Sequence, residues 1–66
     1  MTPKYPNITV ELIGHDGNAF TVIGRCCKAA RKAGLSEDEI ATFTAAATAG
    51  DYDHLLQTAM QWFEIA

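Results

Sequence analysis

An alternating apolar and polar run near one end of the chain, Ile8 to Ile13, gives way to a long helical pattern that starts at Ala19. The junction is the glycine-bearing hinge Gly14-His15-Asp16-Gly17-Asn18. In the alternating run Ile8, Val10 and Leu12 share one face while Thr9 and Glu11 take the other, which is the period of a half-buried strand. A strand needs a partner, and the tail Trp62-Phe63-Glu64-Ile65 is the strand-like candidate at the far end. The order predicted is β-α-α-α-β, a small α+β fold. Its two terminal strands pair in one small sheet against three helices. Residues 1–66 form a single domain, with 1–7 as an extended lead-in set by Pro3 and Pro6.

Three helices fill the space between the strands. The first is expected from Ala19 to Ala33, with Asp16 or Asn18 as its N-cap. Its apolar stripe is Phe20, Ile23, Cys27 and Ala30, widened by Ala19, Val22, Cys26, Ala29 and Ala33. Thr21, Arg25, Lys28 and Lys32 form the opposite stripe, and Gly34 ends the helix. Ser36-Glu37-Asp38-Glu39 is a capping-box pattern opening a second helix, Glu37 to Ala49, with Leu35 and Ile40 placed to staple. Ile40, Phe43 and Ala47 face inward, and Gly50 stops this helix. Asp51 caps the third, whose apolar face is Tyr52, Leu55, Leu56, Ala59 and Met60. Gly24, in the middle of the first helix, predicts close approach of another backbone, within the chain or across a subunit interface.

A domain of 66 residues buries a modest fraction of its surface and normally draws on disulfides, a metal or a partner subunit. Cys26 and Cys27 are helix neighbours that cannot bridge each other, so free thiols in a reducing compartment are expected. A two-stranded sheet is marginal alone, and its open edges are templates for a second copy. Both considerations predict a homo-oligomer. The opening MTPKYPN lacks the apolar core of a secretory leader, and the uncharged run Ile40 to Gly50 is too short for a membrane span. A cytoplasmic protein is expected, with no membrane partner. The net charge of −3 disfavours a general nucleic-acid binder, although Arg25, Lys28, Arg31 and Lys32 gather four of the five basic residues in one helix.

The stretch YPNITVELIGHDGNAFTVIGR, then KAARKAGLSEDEI, then TAGDYDHLLQTAMQWFEI, resembles a family of short bacterial and phage proteins. Members look like YPxVxVxLxGxDGNAF at the start, then a basic, alanine-rich helix ending in AG, then GDYDHLL and a hydrophobic tail. The resemblance covers nearly the whole chain. It implies a bacterial or phage source, hence a host-cytoplasm location if phage-encoded. The family has no assigned activity, so no catalytic role transfers. The Cys26-Cys27 pair departs from the pattern, which argues against functional thiols.

Several constellations invite chemistry. The hinge Gly14, His15, Asp16, Gly17 and Asn18 offers backbone N–H groups at the positive end of a helix dipole, as an anion cradle does. Against this, Asp16 puts a negative charge where a phosphate would sit, and a turn that only satisfies backbone geometry accounts for the glycines. The basic stripe reads as a phosphate contact, or as a solvated face pairing with the acidic start of the second helix. His15, Asp16, Asp51, Asp53 and His54 match no zinc spacing and no nucleophile–base order. Tyr5, Tyr52, Trp62 and Phe63 suit either stacking on a ligand or the core, with Trp62 expected at a subunit boundary. The reading that results is a non-enzymatic, homo-oligomeric binding protein without metal or cofactor. It would sequester a small anionic, nucleotide-like signalling ligand through Gly14, His15, Asp16, Gly17, Asn18, Arg25, Tyr52 and Trp62. The alternatives are a protein-binding inhibitor or adaptor with no small ligand and, third, weak nucleic-acid binding through the basic helix.

Overall fold

The computed structural model describes residues 2–11 and 18–66. Strand β1 (Tyr5–Val10) leads to helices α1 (Ala19–Lys32), α2 (Glu37–Ala47) and α3 (Tyr52–Trp62), and β2 (Phe63–Ile65) closes the order. The two strands pair in parallel, so the predicted β-α-α-α-β fold with its ends joined in one sheet is the observed one. A parallel pair needs a long crossover, and here all three helices serve as that crossover. Ile8, Val10 and Phe63 turn inward while Thr9 and Glu64 face solvent, so the helices cover one face of the sheet.

β1 begins earlier than the alternation suggested. Tyr5, Pro6 and Asn7, expected as lead-in, belong to the strand, because Tyr5 pairs with Phe63 and the Lys4 N–H donates to the Gln61 carbonyl at 2.8 Å. The register slips between Tyr5 and Thr9. Pro6 sits within that slip, where a strand residue lacking an N–H is tolerated. Leu12 and Ile13, the expected end of the strand, lie outside the described residues.

The helix boundaries follow their caps. The Asn18 carboxamide starts α1, Ser36 starts α2 and Asp51 starts α3, each side chain accepting backbone N–H groups of the first turn. Gly34, at φ +95°, ends α1 in a Schellman arrangement. Its N–H donates to Arg31 O and that of Leu35 to Ala30 O, both at 3.0 Å. α2 stops at Ala47 rather than Ala49, since the Ala49 N–H turns back to Ala46 O. Trp62 is the last residue of α3 rather than the first of the strand.

The core joins Ile8 and Val10 to Val22, Cys26, Ala30, Ile40, Phe43, Ala47, Leu55, Ala59 and Phe63. Three residues of the expected apolar faces lie outside it: Ala33, the exposed C-cap of α1, with Phe20 and Met60. The buried line of α1 runs through Val22, Cys26 and Ala30, which puts Phe20 about 120° round the helix and leaves it 84% exposed. Met60 is 55% exposed for the same reason, while Thr58 turns inward and donates its hydroxyl to His54 O at 2.8 Å. That internal bond is how a polar side chain enters the core without an unsatisfied group.

Within the protomer and among the described residues, Gly24 lacks a close neighbour. A Cβ there would meet nothing within 4 Å among the described residues. Gly24→Ala is therefore expected to stabilise the protomer by about 1 kcal/mol, raising Tm by about 4–8 °C for a domain of this size. Thermal unfolding followed by circular dichroism measures it. A lowered Tm would place a second subunit against this glycine.

Candidate functional site

The strand-to-helix junction is only partly in view, because Gly14, His15, Asp16 and Gly17 lie outside the described residues. Asn18, between them and α1, caps the helix. Its side-chain oxygen accepts the Phe20 N–H at 2.8 Å and the Thr21 N–H at 3.3 Å, and its carbonyl takes the Val22 N–H at 3.1 Å. Two of the donors that the helix start offered to an anion are thus engaged by Asn18 itself. What the start of α1 still contributes is its dipole, and no acidic residue lies in its first turn to offset it.

Positive charge collects on the other side of the junction. Arg25, Lys28, Ala29 and Lys32 face Thr9, Val10 and Glu11 across a groove of about 370 Å³ between α1 and β1. Arg31 is turned away from it. Its Nε and Nη2 donate to the two carboxylate oxygens of Glu37 at 3.0 and 3.1 Å, the pairing with the start of the second helix that the sequence allowed. The guanidinium hydrogen bond holds the Glu37 carboxyl below its ordinary range and pushes Arg31 up. Both side chains are largely in water, so this pair orients Arg31 more than it stabilises the fold.

Tyr52 lines a different groove. About 250 Å³ in size, it runs between the start of α1 and the turn before α3, with Ala19, Phe20, Ile23, Ala47 and Leu55 in its walls. The turn beside it is built by Gly50, Asp51 and His54. Asp51 accepts the His54 N–H at 2.9 Å, and the imidazole Nε2 lies 2.8 Å from Ala46 O, tying the end of α2 to the start of α3. A Cβ on Gly50 would lie 2.9 Å from the His54 Cβ, so only glycine leaves room for that ring. Asp51 and His54 are accounted for by this local structure. Among the described residues no group of three His, Cys, Asp or Glu side chains is arranged to hold a metal.

Trp62 belongs to neither groove. It packs with Tyr5, Phe43 and Phe63 at centroid distances of 5.8, 5.4 and 6.2 Å, and the Lys4 ammonium sits 4.3 Å from its ring centre. Its stacking surface is engaged within the protomer, away from Arg25 and Tyr52. Next to it the Tyr5 hydroxyl donates to Glu39, a tie between β1 and α2 that the sequence did not disclose. That bond raises the Tyr5 phenol and lowers the Glu39 carboxyl. Glu39 also receives the Ser36 hydroxyl at 3.3 Å, and the Ser36 backbone N–H helps to lower its carboxyl, as the reciprocal arm of a capping box does.

Cys26 is fully buried, and burial first, then the neighbouring Cys27, pushes its thiol up to about 12. It is a core side chain held in the unreactive thiol form. Cys27 is half-buried with its sulfur 3.5 Å from the Thr44 hydroxyl. The sequence located Arg25 and Lys28 on one stripe but not the strand residues opposite. Thr9 and Glu11 carry no signal of their own, and only the α1–β1 packing brings them into the groove.

No protein-family model matches the chain, and neither a curated protein nor a solved structure is measurably similar to it. No helix among the described residues is long and apolar enough to cross a membrane.

Two outcomes are expected from this arrangement. Glu37 and Glu39 titrate lower folded than unfolded, so their contribution is complete above their ordinary value of 4.5 and is lost as pH falls through the folded values. Tyr5 titrates higher folded than unfolded, so its share is complete below 10 and fades as pH rises through the folded value. Tm should accordingly drop in acid, less steeply in a Glu37→Gln/Glu39→Gln variant, as pH-series melts will read. Second, native protein treated with iodoacetamide near neutral pH should carry no label on Cys26 by peptide mass mapping, and should gain it on denaturation.

Proposed function

We propose that this chain is a non-enzymatic binding protein that acts as a homo-oligomer and sequesters a small anionic, nucleotide-like ligand beside the β1–α1 junction. The observation that carries the reading is Phe20. A large aromatic side chain is 84% exposed at the head of α1, on the lip of the apolar groove that holds Tyr52. Exposed aromatics rimming an apolar concavity mark association surfaces. The sheet supports the same conclusion: parallel sheets occur almost only with both faces covered, and here, among the described residues, one face and both outer edges are bare. The ligand class draws support from the cations of the α1–β1 groove and from a first turn of α1 that carries no acidic residue. A cytoplasmic setting in a bacterium or its phage suits sequestration of a signalling nucleotide.

A second reading, an inhibitor or adaptor that docks on a larger protein, uses the same exposed Phe20 face with a different occupant. Native mass spectrometry of protein purified from bacterial cells separates the two. A defined oligomer carrying a stoichiometric small anion is expected, and Phe20→Ser should shift it towards monomer without lowering the Tm of the protomer. A wild-type monomer would transfer the Phe20 face to a foreign partner. An oligomer indifferent to Phe20→Ser would move the subunit contact elsewhere.

A further inference from the structure

We propose that the corner between the Trp62 and Tyr5 rings, with Glu39 beside it, is a seat for a trimethylammonium group carried by a small molecule, and that the side chain of Lys4 keeps it closed. The seat shares no residue with the α1–β1 groove, so it stands apart from the anion reading above. The Lys4 ammonium lies 4.3 Å from the Trp62 ring centre and 5.6 Å from that of Tyr5. The two ring centres are 5.8 Å apart and the planes are inclined at 41°, so one cation stands over both. Glu39 supplies the counter-charge. Its carboxylate accepts the Tyr5 hydroxyl, and that bond, helped by the Lys4 ammonium, holds the carboxyl low. Aromatic faces with a carboxylate at hand are the chemistry that binds an organic cation.

The rings are half-buried and held from behind. Trp62 meets the buried Phe43 edge-on at 5.4 Å, and Tyr5 stacks on the buried Phe63 at 6.1 Å. A ligand therefore spends little on ordering them. Lys4, by contrast, is exposed and makes no ion pair among the described residues. Its main chain is anchored separately, by the N–H bond to Gln61 O, so the side chain can swing out while β1 stays in place. A primary ammonium is compact and strongly hydrated, and at an exposed site it gains little from a ring. A trimethylammonium is less hydrated and presents methyl groups to both rings, so it displaces Lys4 rather than the reverse. The net charge of −3 on the whole chain works in the same direction.

The test follows the fluorescence of Trp62, the only tryptophan of the chain, in titrations of the full chain at constant ionic strength. The probes are choline, Nε-trimethyllysine, lysine, and dimethylbutanol as the uncharged isostere of choline. Saturable binding of choline or trimethyllysine at millimolar concentration is expected, and the tighter of the two names the source of the group. Lysine and dimethylbutanol should bind more weakly. Lys4→Gln, which empties the seat, should tighten binding by about two- to fivefold. That side chain is exposed, so the variant should fold as the wild type does. Glu39→Gln, whose amide oxygen can still accept the Tyr5 hydroxyl, should loosen binding by about twofold. Equal affinity of wild type and Lys4→Gln would overturn the proposal. Choline and trimethyllysine binding no better than lysine or dimethylbutanol would do the same, as would no saturable change in either protein up to high millimolar concentration.

Discussion

The parallel pairing of Tyr5–Val10 with Phe63–Ile65 is the constraint on which the rest of the protein depends. Strands running the same way cannot be joined by a turn, so everything between them must return the chain across the sheet. That requirement sets the roles of α1, α2 and α3 as one continuous crossover and brings the two inner strand faces under a common helical cover. The pairing is short, and it is reinforced where it is weakest. At the Tyr5 end, where the register slips, an aromatic cluster of Tyr5, Phe43, Trp62 and Phe63 and the Tyr5–Glu39 hydrogen bond clamp β1 to both α2 and β2. Aromatic pairs of this kind add about 0.5–1.5 kcal/mol each beyond their buried area. A solvent-facing ion pair such as Arg31–Glu37 contributes less, so the clamp is aromatic in substance.

Much of this was legible in the residues. The three caps depend on contacts within a single turn, and Asn18, Ser36, Asp51 and Gly34 all do what their types and positions imply. The inward faces of α2 were legible for the same reason, since Ile40, Phe43 and Ala47 are apolar residues among small or polar neighbours. The failures occur where tertiary pairing decides. Tyr5 and Pro6 read as lead-in because prolines argue against strands, and only the backbone of Gln61 and Phe63 draws them into the sheet. Phe20 read as core because periodicity gives the width of an apolar stripe but not its centre. Small residues, Cys26 and Ala30, occupy that centre and bring α1 close to the sheet.

The candidate site divides along the same line. Its charged component could be seen as a stripe on one helix, yet its identity as a groove needed the strand wall. Its aromatic component came apart in three dimensions, with Tyr52 on one groove and Trp62 folded under Lys4 in the clamp. Of the six aromatic residues, Tyr5, Phe43, Trp62 and Phe63 go into the clamp, while Phe20 and Tyr52 are left to the other groove.

Parallel ends also fix where the outside world attaches. The Ala66 N–H donates to Val10 O at 3.0 Å, while Lys4 lies at Gln61, at the other end of the sheet. Any residues joined after Ala66 would therefore start beside Val10, one of the residues that line the α1–β1 groove. Residues joined before Thr2 would start near Gln61 and Met60 instead. For affinity handles, fluorophores or fusion partners, the two ends of this chain are not equivalent: one stands at the groove, and the other is clear of it.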